Sequence, residues 1–319
     1  MLLWHIHGSW TTAFVHGRHE YLVPVTPARD ADGRGRAATY SWPTSVREVA
    51  CDRLRDEQVD VVVLQRPEEV DLAERWLGRR PGRDLPAVYV EHNAPKGGVP
   101  DTVHPVARRG DIPLVHVTNF NRLFWENGRA PTVVVEHGVV DPGYRFTGEW
   151  PRAGVVVNEP LRRWRTTGTD LLPALTRAAP LDVYGMRVTD LPRRLGVDPA
   201  LMWVHEDLPQ ARMHAELARR RVYVHPIRWT SLGLSLIEAM HLGLPVVALA
   251  TTEAVEALPP EAGVATTRVD RLVDAIKSFV SDPIWARQAG KAARAAALER
   301  YSLPRFQRDW DCVLQEVCR

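Results

Sequence analysis

The sequence has little lysine, although basic residues are numerous. Among the 41 basic residues, lysine accounts for only Lys96, Lys277 and Lys291. Any anion bound by this chain must therefore meet arginine or backbone N–H groups. A pyridoxal phosphate enzyme is disfavoured, because the two C-terminal lysines fall in predicted helices. The formal net charge of +2 is close to neutral, so composition gives no support for a nucleic-acid partner.

Cysteine and long apolar segments are also scarce. Cys51, Cys312 and Cys318 form an odd and scattered set, which favours a reducing compartment over a disulfide framework or a zinc site. No segment approaches the roughly 18 consecutive apolar residues of a membrane helix. Residues 1–5 lack the basic start of a signal peptide. We therefore expect a cytoplasmic protein without a transmembrane segment.

The length of 319 residues suits two domains, and short apolar runs alternate with amphipathic stretches as in parallel α/β sheets. Strands are predicted at residues 2–7, 59–64, 87–91, 114–117, 132–136, 154–157, 181–184, 202–205, 221–225, 245–248 and 264–266. Helices are predicted at residues 68–77, 120–127, 171–178, 208–219, 232–242, 269–280, 284–300 and 304–317. Residues 8–43 show no helical period and are expected to form loops and short strands, and residues 141–152 to form a linker.

Residues 225–247 are the most informative segment. A strand ends near His225, and a turn containing Gly233 leads into a helix that ends at Gly243, before a buried strand. A glycine at such a turn allows close backbone approach, and the helix N-terminus offers free N–H groups to an anion. Glu238 lies one to two turns into this helix and can accept two hydrogen bonds from a vicinal diol such as ribose. The pattern predicts a nucleotide-binding β-α-β unit.

This segment resembles the nucleotide-binding signature of retaining GT-B glycosyltransferases of the family 4 type, also called glycosyl transferases group 1. The matching positions are Gly233, Leu234, Glu238, Ala239, Met240, Gly243, Pro245, Val246 and Val247. The resemblance implies an α/β fold of GT-B architecture, with two Rossmann-like domains facing across a cleft. It implies an acceptor-binding domain at residues 1–142 and a nucleotide-sugar-binding domain at 153–302. Residues 303–319 would be a helix crossing back to the N-terminal domain.

The resemblance also implies roles for residues in the signature. Glu238 would hold the ribose, whereas the position that the family fills with a sugar-contacting glutamate is Thr230. Thr230 can make a hydrogen bond but supplies no charge. The remaining donor-binding residues of this segment would be Ser231, Leu232, Gly233 and Leu234.

A loop rich in arginine follows the first strand of the second half. Related enzymes carry Gly-Arg and Lys-Gly pairs here, which neutralise the departing diphosphate. This chain has instead Arg162 as a donor-binding residue, with Arg163 and Arg165 as candidate catalytic residues. A fork of guanidinium groups is a suitable clamp for a diphosphate. A solvated basic loop is the alternative for any single arginine.

Four positions in the first half and two in the second complete the expected site. On the donor side, Gly8 follows the first strand, while Tyr184 and His205 end strands near the place where relatives hold the base. His92 ends a strand at the face where ligands bind in open α/β sheets, and it is the candidate catalytic residue there. On the acceptor side, the candidates are Asn93 and Lys96.

The resemblance implies transfer with retention from a UDP- or GDP-sugar, by front-face displacement and without a protein nucleophile. His5 and His7 alternate on one strand, but apart from Glu20 no Asp, Glu or Cys joins them at ligand spacing, which disfavours a zinc site. The front-face scheme requires no metal, so no metal and no cofactor is expected. The acceptor would be a glycan, a lipid-linked molecule or a natural-product aglycone. Two alternatives stay open: a GT-B sugar-nucleotide epimerase, and a catalytically silent nucleotide-sugar-binding partner, which Thr230 motivates.

Overall fold

The computed structural model describes residues 1–319, and the chain divides into two compact units. Unit 1 comprises Met1–Val140 and Leu303–Arg319, and unit 2 comprises Asp141–Ser302. Residues 141–152, which the sequence predicts to be a linker, are part of unit 2 instead. Their last residues already form a strand, because Trp150 pairs in register with Arg220 of a neighbouring strand.

Each unit is built on one sheet in which all paired strands are parallel. The strands of unit 1 are β1 Leu2–Leu3, β2 Tyr21–Val25, β3 Val46–Ala50, β4 Val62–Leu64, β5 Ala87–Glu91, β6 Leu114–His116 and β7 Thr132–Val134. Those of unit 2 are β8 Trp150–Val156, β9 Leu181–Gly185, β10 Met202–Glu206, β11 Arg220–His225, β12 Val246–Leu249 and β13 Gly263–Thr266.

There are twelve α-helices, of which α1 to α9 lie between strands and α10 to α12 follow the last strand. They are α1 Gly8–Val15, α2 Glu68–Leu77, α3 Asn119–Phe124, α4 Pro160–Arg163, α5 Leu172–Leu175, α6 Leu191–Leu195, α7 Gln210–Leu217, α8 Leu234–Leu242, α9 Ala254–Ala257, α10 Val269–Ser281, α11 Pro283–Arg300 and α12 Leu303–Val317. Short 3₁₀ turns occur at Cys51–Asp56, Thr169–Leu171 and Pro260–Ala262. None of the helices is both long enough and apolar enough to cross a membrane.

The strand order places one topological switch point in each unit. In unit 1 the order is β3-β2-β1-β4-β5-β6-β7, and in unit 2 it is β10-β9-β8-β11-β12-β13. The chain direction across the sheet reverses between β1 and β4 and between β8 and β11, as in doubly wound folds. Ligands of such sheets bind beyond the carboxyl ends of the strands at this point. The prediction of two parallel α/β sheets is confirmed.

The clearest error of the sequence analysis is α1, which lies in a region expected to lack helix. Six of its eight residues, Trp10 to Val15, are buried. A helix that is covered on all sides shows no apolar and polar period, which is why the pattern does not reveal it. The strand β3 is also absent from the prediction. The predicted helix at residues 120–127 is shorter, because α3 ends at Phe124.

Candidate functional site

The turn between β11 and α8 forms the centre of the candidate site in unit 2. Gly233 is the residue before α8, and a Cβ added there would lie 2.5 Å from Cε1 of His225. The close contact explains why glycine is required at this position. Of the predicted donor-binding residues, Ser231 and Leu232 are buried, whereas Thr230, Gly233 and Leu234 are partly exposed. The amino end of α8 therefore presents its backbone beside the half-buried Thr230.

The arginine-rich loop is packed directly against this turn. The Arg228 N–H donates to the Thr166 carbonyl oxygen at 2.9 Å, and the Trp229 N–H donates to the same oxygen at 3.3 Å. Gly168 adopts a φ of +69°, and a Cβ there would lie 1.9 Å from the Pro226 carbonyl oxygen. The two segments thus fit together only through a glycine, which holds the arginine-rich loop against the turn that leads into α8.

The three candidate arginines differ in their partners. Arg162 is exposed and forms an ion pair with Glu159. Arg165 is exposed and bonds Asp170 at 3.0 Å, an acid that Arg228 also contacts. Arg163 has neither a side-chain hydrogen bond nor an ion pair, although it is half-buried and its burial lowers its pKa below the usual value. Arg163 is therefore the one of the three whose guanidinium is available to an anion.

Glu238 lies inside α8 with only 3% exposure, and the neighbouring helix α7 holds its carboxylate. Gln210 Nε2 donates to Oε1 at 3.0 Å, and His214 Nε2 lies 3.3 Å from Oε2. A buried carboxylate requires such partners, because desolvation would otherwise disfavour its charge. Neither partner was predicted from the sequence as a site residue. Their i and i+4 spacing on one helix, which puts them on a common face, is the sequence signal that points to them.

Tyr184 and His205 are brought together as paired residues of β9 and β10. Their rings stack with centroids 4.5 Å apart. Tyr184 is fully buried and supports the His205 ring, which is half-buried and whose pKa burial lowers. A neutral His205 can accept or donate a hydrogen bond but carries no charge towards a phosphate. Their donor-binding role stays a prediction.

A second polar cluster lies at the carboxyl edge of the unit 1 sheet. Gly8 begins α1 directly after His7, whose ring centroid is 4.1 Å from that of His92. His92 is 6% exposed, and its Nε2 lies 3.1 Å from Oε1 of Gln65. Burial, with lesser contributions from His7 and His137, holds the pKa of His92 well below its usual value. At neutral pH His92 is therefore an uncharged imidazole.

The other unit 1 candidates are on the surface. Asn93 is exposed, and its carbonyl oxygen accepts a hydrogen bond from Trp125 Nε1 at 2.9 Å. Lys96 is exposed in the loop that follows. The structure therefore does not bring Lys96 or Asn93 into the buried cluster of His92, although they follow it closely in sequence.

His137 belongs to the unit 1 cluster and was not predicted as a site residue. It is 2% exposed, and neither of its ring nitrogens has a hydrogen-bond partner. Burial, with smaller contributions from His7 and Arg305, lowers its pKa to about 3. His5 contacts the Trp42 ring instead of this cluster. No group of three histidine, cysteine or acidic side chains in residues 1–319 could hold a metal ion.

Comparison with known proteins agrees with this geometry. Residues 195–296, which include α7, α8 and Glu238, match the family model described as glycosyl transferases group 1. No curated protein matches the chain in sequence. Among solved structures, sucrose-phosphate synthase (tll1590) from Thermosynechococcus elongatus has a TM-score of 0.72 at 13% identity, covering 99% of this chain and 98% of its own.

Two further structures are similar over much of the chain. Anabaena Alr3699/HepE, solved in complex with UDP and glucose, has a TM-score of 0.67 at 14% identity, with 99% of each chain covered. S. aureus TarM has a TM-score of 0.64 at 14% identity over 80% of this chain, which covers 54% of the length of TarM. The fold is that of the GT-B glycosyltransferases. At these identities the similarity establishes architecture alone, and the GT-B prediction is confirmed at that level.

Proposed function

We propose that the protein is a retaining glycosyltransferase that transfers a hexosyl group from a UDP- or GDP-sugar to an acceptor hydroxyl. The observation that carries the proposal is the arrangement at α8: the loop of the unpaired Arg163 is fixed against the turn that leads into the helix, and Glu238 lies within the helix. Arg163 and the amino end of α8 suit a diphosphate, and Glu238 suits a ribose. The match of residues 195–296 to the glycosyltransferase family supports it.

In this scheme the protein stabilises the leaving diphosphate and aligns the reactants. Arg163 and the N–H groups at the start of α8 would balance the charge that develops as the sugar departs, with Arg162 and Arg165 nearby. These groups supply the positive charge, so the scheme needs no metal ion or cofactor. Neutral His92 would hydrogen-bond an uncharged hydroxyl. Asn93 and Lys96 would serve the acceptor, which is a glycan, a lipid-linked molecule or a natural-product aglycone, in the cytoplasm.

The side chain of Thr230 would affect how the donor sugar is bound. A threonine in place of the family's glutamate offers one hydroxyl to the sugar and no negative charge. Charge on the oxocarbenium-like sugar would then be balanced by the departing diphosphate rather than by the enzyme. The bound UDP and glucose of the similar Alr3699/HepE structure are the reason to begin with UDP-glucose as donor.

The test is release of nucleoside diphosphate from UDP- and GDP-sugars, with panels of the three acceptor classes and with EDTA present. Release that requires an acceptor, and that Glu238→Ala greatly reduces, is the expected result. The anomeric proton of the product, followed by NMR, should keep the configuration of the donor. Conversion of the donor without acceptor would support the epimerase instead. Nucleotide binding without any turnover would support the silent partner.

A further inference from the structure

The Glu238 carboxylate is held at both of its oxygen atoms by side chains of α7. Gln210 donates to Oε1 from the first turn of α7, and His214, one turn later, contacts Oε2. An ionised carboxylate only accepts hydrogen bonds, so His214 must carry a proton on Nε2. Two contacts on different oxygens fix both the position and the rotation of the carboxylate plane.

The position of Glu238 on its helix suits a sugar ring next to a phosphate. It lies five positions after Gly233, which corresponds to a rise of about 7.5 Å along an α-helix. That span is comparable to one ribose between its phosphate and its secondary hydroxyls. A carboxylate in this place can accept the hydroxyls of a vicinal diol only if its plane is correctly oriented, because hydrogen bonds weaken steeply with misalignment.

We propose that Gln210 and His214 are positioning residues that orient the Glu238 carboxylate towards the 2′- and 3′-hydroxyls of ribose, which makes the site select ribonucleotides over 2′-deoxyribonucleotides. The proposal rests on the function proposed above and assigns to two residues of α7 the selectivity of that site for the ribose of the donor. A 2′-deoxy ligand leaves one acceptor of a buried carboxylate without its partner, and that loss discriminates strongly between similar ligands.

Ion pairs attach the α7 helix to the sheet close to His214. His214 is 4% exposed, and two residues later Glu216 forms ion pairs with Arg219 and Arg220. Arg220 is in turn bound to the buried Asp182 of β9. The helix that carries the two positioning side chains is thus attached to the sheet independently of Glu238. Substitution of Gln210, which is partly exposed, should leave this attachment in place.

The experiment compares affinities for UDP with 2′-deoxy-UDP, and for GDP with 2′-deoxy-GDP, by calorimetry on the full chain. The wild type should prefer the ribonucleotide of its own base by about tenfold or more. In Gln210→Ala and His214→Leu this preference should fall severalfold, while affinity for inorganic pyrophosphate is unchanged. The matched control is Arg212→Ala, an exposed position on the same helix, for which the preference should be kept.

Conservative variants separate positioning from folding. His214→Gln can still donate to the carboxylate and should restore part of the preference, with an unfolding temperature close to that of wild type. If Gln210→Ala and His214→Leu weaken both nucleotides of a pair equally, the two residues are merely structural and the inference is wrong, although nucleotide binding stands. If the wild type binds no nucleotide, the proposed function fails and the inference fails with it.

Discussion

The backbone N–H of Arg228 donates a hydrogen bond to the carbonyl oxygen of Thr166 at 2.9 Å. The bond joins the segment that leads into α8 to the arginine-rich loop, two parts that lie about sixty residues apart in sequence. A cation placed on one segment is thereby held at a fixed position relative to the N–H groups of the other. Preorganisation of this kind is what makes fixed charges effective towards a phosphate.

The first prediction concerns the unpaired guanidinium in that loop. Arg163→Met should weaken UDP binding by about tenfold or more, because a charge-assisted contact to the diphosphate is lost. The substitution should not lower the unfolding temperature, because a half-buried charge without a partner does not stabilise the fold. Calorimetry with UDP and uridine, together with thermal unfolding, measures both effects.

The matched control for this prediction is Arg162→Met. Its guanidinium is 66% exposed and already paired with Glu159, so UDP affinity should change by less than about threefold. Equal losses for the two variants would mean that the loop acts through its overall charge. A loss of uridine affinity in Arg163→Met would place the residue at the nucleoside instead of the phosphate.

The second prediction tests how closely the loop and the turn are packed. Gly168 and Gly196 have similar left-handed φ angles of +69° and +64°, but only Gly168 lies against another backbone. Gly168→Ala should cost about 1 kcal/mol for the φ angle and a further 1–3 kcal/mol for the clash, and should weaken UDP binding. Gly196→Ala, with open space around it, should show the φ cost alone. Urea unfolding gives the difference, and equal costs would contradict the packing argument.

The two parallel sheets and the turn before α8 could be predicted from the sequence for a physical reason. The strands of parallel sheets are buried on both faces and appear as apolar runs, and glycines that are required by close contacts or by a positive φ leave a fixed pattern. Gly233 and Gly243 are examples: a Cβ on the first would meet the His225 ring, and the second ends α8 at a φ of +87°. The helix between them could therefore be placed to within two residues.

What the sequence could not predict depends on contacts between distant segments. The helix α1 has no exposed polar face, so the sequence shows no amphipathic period for it. The spacing of Gln210 and His214 puts them on one face of α7, but the contact of this face with Glu238 follows only from the packing of α7 against α8. The distinction among Arg162, Arg163 and Arg165 depends on which of them has an acidic neighbour. A run of arginines in the sequence does not show which of them is paired. The pairs Arg162–Glu159 and Arg165–Asp170 depend on how the loop turns in the folded protein.

The third prediction concerns the acid stability of unit 1. His137 has a pKa of about 3 in the folded protein against about 6.5 when unfolded, chiefly because it is buried. Between pH 6.5 and pH 3 the imidazole of His137 is therefore protonated in the unfolded state but neutral in the folded state. The stability that neutral His137 contributes is fully present above pH 6.5, and it is lost as the pH falls towards 3. His137→Phe removes this proton without removing a hydrogen bond, because the ring nitrogens have none.

The expected result is a shallower dependence of unfolding free energy on pH between about 6 and 4, by up to about 1.4 kcal/mol per pH unit. Urea unfolding at several pH values measures this slope. His16→Gln, which replaces an exposed histidine, is the control variant measured alongside. An unchanged slope in His137→Phe would show that the histidine becomes protonated in the folded protein.

The last prediction addresses the buried charges beneath α7. Asp182 is fully buried and pairs with Arg152 at 2.7 Å and with Arg220 at 2.5 Å, and neither arginine side chain is more than 8% exposed. Asp182→Asn keeps the volume but removes the one charge that the two guanidinium groups share. Arg220 keeps its ion pair with Glu216, but Arg152 loses its acidic partner. Leaving a buried charge without a partner costs about 3–5 kcal/mol, so this variant should be strongly destabilised.

Asp190→Asn provides the comparison, because Asp190 also pairs with an arginine, Arg193, but is 63% exposed. Its unfolding free energy should stay within about 0.5 kcal/mol of wild type, as expected for a solvated ion pair. Urea unfolding followed by tryptophan fluorescence is suitable, since the Arg152 guanidinium lies 3.9 Å above the Trp203 ring. If Asp182→Asn lost less than about 1 kcal/mol, water would have to reach the two arginines, and the sheet face beneath α7 would be more open than its burial indicates.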